Sequence, residues 1–271
     1  MASGEVTSVR SPRVKGARRL TKRTFRQRQR RFLAEGPQSV REALNVPGTL
    51  LELYATAEAE IRHADLTEAA LAASVPVFRV SGEVMNELAQ TVTPQGLLGV
   101  CAFLDVPLRS VLDRRPTLIT VLAHVRDPGN AGTVLRTADA AGADAVVFTD
   151  ASVDPYNGKC VRASAGSVFH LPVVTGVRFA DVAADLRTAG LRLLAAEGAA
   201  ERDLDALLDD GALSGPTAWV FGNEAWGLPQ ELLDHADEAV AVPIHGRAES
   251  LNLATAAAVC LYASARAQRR G

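Results

Sequence analysis

Three short stretches hold the side chains with chemical capacity. Asn130 and Arg136 stand six residues apart in RDPGNAGTVLRTADAAG, Asn223 and Glu224 follow the apolar run WVFG, and Ser250, Leu251 and Asn252 precede a long alanine-rich segment. Gly222 lets the backbone turn sharply or lie flat against a ligand at a strand's carboxyl end, where open α/β sheets keep their sites. Ser250 fits an N-cap, and the first-turn amides of the helix it would start accept polar or anionic ligand atoms. Asn130 fits the cap of the preceding helix, whose Arg136 can reach back toward the loop. Each piece also has a plainer meaning: a glycine after a strand is often only a turn, and SLN before alanines only a cap. A fourth stretch, with Lys159, Arg162, Ser164 and Ser167, is either loop or a phosphate-facing surface, Arg162 and Ser164 being its better candidates.

The elements that must position these residues alternate. Strands are predicted at 117–125, 145–148, 171–174, 191–196, 219–221 and 239–242, with helices over 130–141, 177–189 and the alanine-rich end. Gly142 closes the first of these helices, Pro229 opens a short one, and Glu201 to Asp210 reads as acidic surface. That β/α alternation implies a mainly parallel sheet. Residues 31–105 form a smaller α/β domain, in which Glu35, Glu42, Glu83 and His63 read as surface. A proline-bounded linker over 106–116 then leads to a second domain at 117–271.

At 271 residues, 48% hydrophobic and 22% charged, the chain is an ordinary globular protein. Cys101, Cys160 and Cys260 lie far apart without C-x-x-C spacing, which argues against a disulfide framework or zinc site and for a reducing cytoplasm. No apolar run is long enough to span a bilayer, and the start has no apolar signal region. The net charge of -2 hides an asymmetry, because eleven Lys or Arg and no acid fall between Arg10 and Arg31. Residues 1–30 therefore read as a basic, partly disordered tail seeking a polyanion, with Arg18, Arg19, Lys22, Arg23, Arg26 and Arg30 as candidate RNA contacts.

Common nucleotide signatures fail. No strand is followed by G-x-G-x-x-G, and the P-loop spacing from Gly222 to Gly227 ends in Leu228 and Pro229 where lysine and a hydroxyl residue are needed. The histidines lack metal-ligand spacing, so no metal is expected.

Taken together, N-x-G-x-x-x-R-T-A at 130–138, V-F-G-N-E-x-x-G-L at 220–228 and V-P-I-H-G-x-x-x-S-L-N at 242–252 resemble the SpoU (TrmH) family of RNA ribose 2′-O-methyltransferases. VRASAGSVFHLPV and TPQGLLGV add to the likeness, which covers roughly residues 30–265. Trp226, Ala225, Ile244 and Ala254 depart from the usual pattern.

The resemblance implies an α/β fold: a C-terminal SPOUT knot, a deep trefoil with a mainly parallel sheet, behind a smaller N-terminal L30e-like domain. It implies S-adenosylmethionine, a homodimer and an RNA substrate, ribosomal RNA before transfer RNA. A non-catalytic RNA-binding or ribosome-assembly protein is the alternative from another class. Matched residue by residue, Gly222, Val242, Ile244 and Leu251 would hold the cofactor, and Asn130, Arg136, Glu224, Ser250 and Asn252 would form the polar catalytic set. The family assigns deprotonation of the hydroxyl to Arg136. A guanidinium with a pKa above ~12 is a poor base, so the preferred role is binding the adjacent phosphate and polarising the hydroxyl.

Overall fold

The computed structural model describes residues 5–270. They divide into two compact units: one runs up to Leu104 and takes in Tyr156–Phe169, and the other is Asp105–Pro155 with the chain from His170 onward.

The first unit contains α1 (Pro12–Arg19), α2 (Arg23–Gln29), β1 (Arg31–Glu35), α3 (Pro37–Asn45), β2 (Leu50–Ala55), α4 (Ala57–Arg62), α5 (Ala64–Ala72), β3 (Val77–Arg79), α6 (Gly82–Leu88) and β4 (Leu97–Ala102). Its sheet runs β1-β4-β2-β3, antiparallel except between β2 and β3.

Residues 5–30 correct the expectation of a partly disordered tail. Val14 and Ala17 of α1 and Leu20 at its C-cap, spaced three apart, are buried in one cluster with Leu33, Tyr54, Val84 and Leu98. Arg26 is only 2% exposed, and its guanidinium donates to the carbonyls of Leu20 and Thr21 at 2.9 and 2.8 Å. It satisfies chain-end acceptors after α1 that would otherwise lack a donor.

The second unit begins with α7 (Leu108–Leu112), β5 (Leu118–Leu122), α8 (Pro128–Ala141) and β6 (Ala145–Thr149). After α9 (Gly158–Ala163), which belongs to the first unit, come β7 (Val173–Val177), α10 (Phe179–Thr188), β8 (Arg192–Ala196), α11 (Leu204–Asp209), β9 (Thr217–Phe221), α12 (Gln230–Leu233), β10 (Glu238–Val240) and α13 (Leu253–Gln268).

The expected linker is part of this unit. Leu108 and Val111 of α7 join its core, and the stretch read as acidic surface forms α11 with Leu204 and Leu207 buried. In both places a short apolar pair beneath charged residues is enough to dock a turn of helix.

The six strands run in the order β10-β8-β9-β5-β6-β7, every neighbouring pair parallel. β5, β6 and β9 are buried along their whole length, which is why they read as unbroken apolar runs. On one face Ile119, Val121, Val147 and Val220 cluster with Phe179, Val182 and Leu186 of α10.

α8 and α13 pack against each other, burying small residues: Ala131, Gly132 and Ala138 from one, Ala254, Ala257 and Ser264 from the other. Small side chains let the two axes approach closely. Ser264 also accepts the indole N–H of fully buried Trp219 at 2.8 Å, so this donor is not left unpaired.

All three cysteines are buried free thiols, and burial pushes Cys260 up to about 12. The thiolate is the reactive form, so at pH 8 Cys260 should resist maleimide in the native protein and label after unfolding in urea. Leu20→Ala should lower stability in urea unfolding by about 2–5 kcal/mol. A tail outside the core would change by less than about 0.5 kcal/mol.

Candidate active site

β5 and β9 are adjacent parallel strands whose carboxyl ends mark the point where the chain's winding reverses, the usual ligand crevice of an open sheet. The two ends are tied together. The Ala123 amide donates to the Phe221 carbonyl at 2.9 Å, and the side-chain amide of Asn223 donates to the His124 carbonyl at 3.0 Å.

Beyond β9 the chain doubles back at once. The Asn223 amide donates to the Gly227 carbonyl at 2.8 Å, and the Gly227 amide returns a bond to Asn223 at 2.9 Å. A Cβ on Gly222 would lie 2.5 Å from the Gly227 oxygen, so the close approach of two backbone segments alone demands glycine there.

This turn presents Glu224 to the start of α8. Its carboxylate accepts from the amides of Arg126 at 3.4 Å and Asp127 at 3.2 Å, and from the side chain of Asn130 at 3.3 Å. A carboxylate only accepts, so Asn130 must present its NH₂ to Glu224 and its oxygen elsewhere. That oxygen receives the side-chain NH₂ of Asn252 at 3.1 Å. The negative charge at a helix N-terminus also suits the local dipole.

The caps differ from those predicted. α8 is capped by Asp127, whose side chain accepts from the Asn130 amide at 2.8 Å, with Pro128 in the first turn. α13 is capped by Asn252, accepting from the Ala254 amide at 2.9 Å, not by Ser250. The physical signal for Asp127 was present as an acid immediately before a proline.

A cavity of about 290 Å³ opens at the ends of β8, β9 and β10 and the start of α13. Gly222, Val242, Ile244 and Leu251, the predicted cofactor residues, all line it, as do Ser250 and Glu224. Its remaining wall includes the carboxylates of Glu197 and Glu249. The donor set fits S-adenosylmethionine: apolar side chains and backbone for an adenine face, acids for a sulfonium and ammonium. Glu197, missed in the sequence, follows a strand in the unremarkable run AAEGA.

The remaining candidates fall outside this constellation. Arg136 is exposed in the second turn of α8, lines no part of the cavity, and makes no hydrogen bond or ion pair among the described residues. In the first unit Ser164 is fully buried and donates to the Val161 carbonyl at 2.7 Å, so it faces no phosphate. Arg162 pairs with Glu35 at 3.2 Å, and Glu35, expected on the surface, has a side chain only 7% exposed and also accepts from Thr91. Buried Arg26 is likewise removed from RNA contact. Arg18 pairs with Glu87, and the Arg19 and Arg30 guanidiniums lie over the rings of Phe25 and Phe103. Lys22 and Arg23 are exposed as expected.

Comparison with known proteins covers both units. Residues 117–262 match the SpoU rRNA Methylase family, and residues 11–99 match an MRM3-like substrate binding domain. The chain is 34% identical to the 23S rRNA (guanosine(2553)-2′-O)-methyltransferase RlmP of Bacillus subtilis, over 95% of this chain and 98% of that one. It is 32% identical to the 23S rRNA (guanosine-2′-O-)-methyltransferase RlmB of Bordetella pertussis, over 84% and 93%.

Among solved structures, the AdoMet-bound rRNA methyltransferase from Sinorhizobium meliloti superposes with a TM-score of 0.84 at 33% identity, covering 97% of each chain. The SpoU methyltransferase AviRb from Streptomyces viridochromogenes, in complex with AdoMet, gives 0.83 at 26% identity over 96% of this chain and 100% of that one. The family match spans residues 117–262, a range that contains the strand ends and helix starts of the cavity, and backbone likeness covers nearly the whole chain. This protein belongs to the SpoU rRNA methylase family, with the α/β fold of SPOUT methyltransferases.

Proposed function

We propose that this protein transfers a methyl group from S-adenosylmethionine to a ribose 2′-hydroxyl of 23S ribosomal RNA. The observation that carries the reading is the line of hydrogen bonds Glu224–Asn130–Asn252 beside a cavity lined by Gly222, Val242, Ile244 and Leu251. The relatives named above are methyltransferases of that RNA, which favours it over transfer RNA.

Backbone around Gly222 and the side chains of Val242, Ile244 and Leu251 hold the cofactor. When bound it supplies an electrophilic methyl on a sulfonium. The hydroxyl is a weak nucleophile, so the protein's task is to place it and ease loss of its proton. Asn130 is fixed in orientation by Glu224 on one side and Asn252 on the other, which presets the polar wall before RNA arrives. Ser250 offers a hydroxyl at the cavity rim. Arg136 binds the adjacent phosphate and polarises the hydroxyl, a role that suits an exposed guanidinium with no partner among the described residues. Lys22 and Arg23 add phosphate contacts, and the C-terminal segment threads a loop to form the trefoil.

The working form is a cytoplasmic homodimer. Thr255, Val259, Tyr262 and Arg266 lie at helical spacing on the outer face of α13, where Val259 is 40% and Tyr262 52% exposed. No helix among the described residues is long and apolar enough to cross a membrane.

Arg136→Ala should reduce methyl transfer to 23S rRNA on the order of 100-fold or more while calorimetric affinity for S-adenosylmethionine is unchanged. Normal turnover would remove Arg136 from the mechanism. Mass spectrometry of the digested RNA should place the methyl on ribose, and a methylated base nitrogen would refute the assigned chemistry. Tyr262→Asp should shift the protein toward monomer in sedimentation, and a monomeric wild type would end the dimer reading.

A further inference from the structure

The chain has two tryptophans, and they are used in opposite ways. Trp219 is fully buried with its N–H bonded, while Trp226 is 51% exposed. A single exposed apolar side chain is ordinary on a protein surface. This one stands two residues from Glu224, on a turn locked by the paired backbone bonds between Asn223 and Gly227 and by the bond from the Ala225 amide to the Asn223 side chain at 2.9 Å.

The cofactor cavity is not its reason for being there. Phe221, Gly222, Asn223, Glu224, Ala225 and Gly227 all line that cavity, and Trp226 does not. Its indole meets His124 instead, ring centroids 5.7 Å apart and planes at 76°. His124, two residues past the end of β5, has a φ of 60°, a left-handed conformation that non-glycine residues adopt at a cost, and its carbonyl is held by Asn223. Two residues on, the Arg126 amide binds Glu224, while its exposed guanidinium has no partner among the described residues. An aromatic surface and a cation therefore sit on the loops after β9 and β5, the first of which also carries Glu224, one of the two partners that orient Asn130.

Resting on the reading of this centre as an RNA methyltransferase site, we propose that Trp226 is the stacking platform for an unstacked base of the substrate RNA, with Arg126 on a neighbouring phosphate. An indole face accepts any base, and it accepts one only when that base has left its own stack. The site is thus built for a loop or splayed nucleotide rather than for duplex RNA. Because the turn is already rigid and braced by His124, little order is lost on stacking. Trp226 is a specificity-determining residue: it selects RNA by base accessibility and leaves the donor side of the cavity untouched.

Buried Trp219 still emits but is shielded from contact with ligand, so quenching by a ligand that stacks reports on Trp226. Titration of the full chain with a single-stranded oligoadenylate of about ten nucleotides should quench the emission, and an RNA duplex of equal length should quench it far less. Trp226→Ala should raise KM for 23S rRNA from cells lacking the gene by ~5–150-fold, the range of one lost base stack, with kcat and S-adenosylmethionine affinity unchanged. Trp226→Phe should recover most of the loss. Equal quenching by duplex, no quenching at all, or an unaltered KM overturns the platform. So does conversion of a dimer to a monomer by Trp226→Ala, which would assign the indole to a subunit interface. If wild type fails to methylate any RNA, the proposed function falls, and the quenching comparison still decides whether Trp226 stacks on a base.

Discussion

The arrangement depends on the orientation of one side-chain amide. Asn130 lies between a carboxylate that can only accept and an asparagine that donates, so its two ends are assigned by charge rather than by packing. These bonds join residues 94 and 122 positions apart in the chain. They bring the loop after β9, the first turn of α8 and the cap of α13 onto one spot. None is short, and near solvent each adds only modestly to stability. Their value is geometric: with the amide held at both ends, the polar wall exists in one state instead of many, which lowers the reorganisation needed when a substrate arrives.

That chain of bonds rests in turn on backbone geometry. Glu224 reaches α8 only because the chain reverses at Gly222, and the reversal leaves no room for a side chain. Asn252 reaches Asn130 only because α13 lies close along α8, which alanine and serine at the contact permit. The same Asn252 side chain caps its helix through one atom and links to Asn130 through the other. Replacing it disturbs the helix start and the site together, so activity lost on such a change would not separate the two roles.

Legibility followed the kind of signal involved. The parallel strands were visible because β5, β6 and β9 are buried on both faces and carry uninterrupted apolar residues. Gly222 was visible because a glycine between a buried strand and an acid has few uses. The N-terminal helices were not: three buried residues, Val14, Ala17 and Leu20, are a narrow stripe, and the surrounding arginines outweighed them in any average. Composition records charge without recording direction, so Arg26 looked like its exposed neighbours although it turns inward onto two carbonyls. Ser164 and Glu35 were misjudged for the same reason. The caps were misplaced by two or three residues because Asp, Asn and Ser are all good caps, and spacing alone does not choose among them. The grouping of Tyr156–Phe169 with the first unit is a tertiary fact, set by contacts such as Phe32 with Tyr156 at 4.8 Å, and no local pattern encodes it.

In the proposed reading, the turn between Asn223 and Gly227 separates two tasks that are hard to combine. A surface suited to a methyl donor carries acids and small apolar groups, whereas a surface suited to RNA carries cations and aromatic faces. Acids aimed at the donor would repel phosphates if they shared its approach. A tight reversal eases this conflict by turning neighbouring side chains different ways: Glu224 and Ala225 line the cavity, whereas Trp226 does not and meets His124 instead. The paired backbone bonds that close the turn keep those directions fixed, so both faces keep the same position relative to Asn130. A longer or more mobile loop would present the same residues without that fixed relation. The glycines at 222 and 227 are therefore as much a part of the site as the side chains between them.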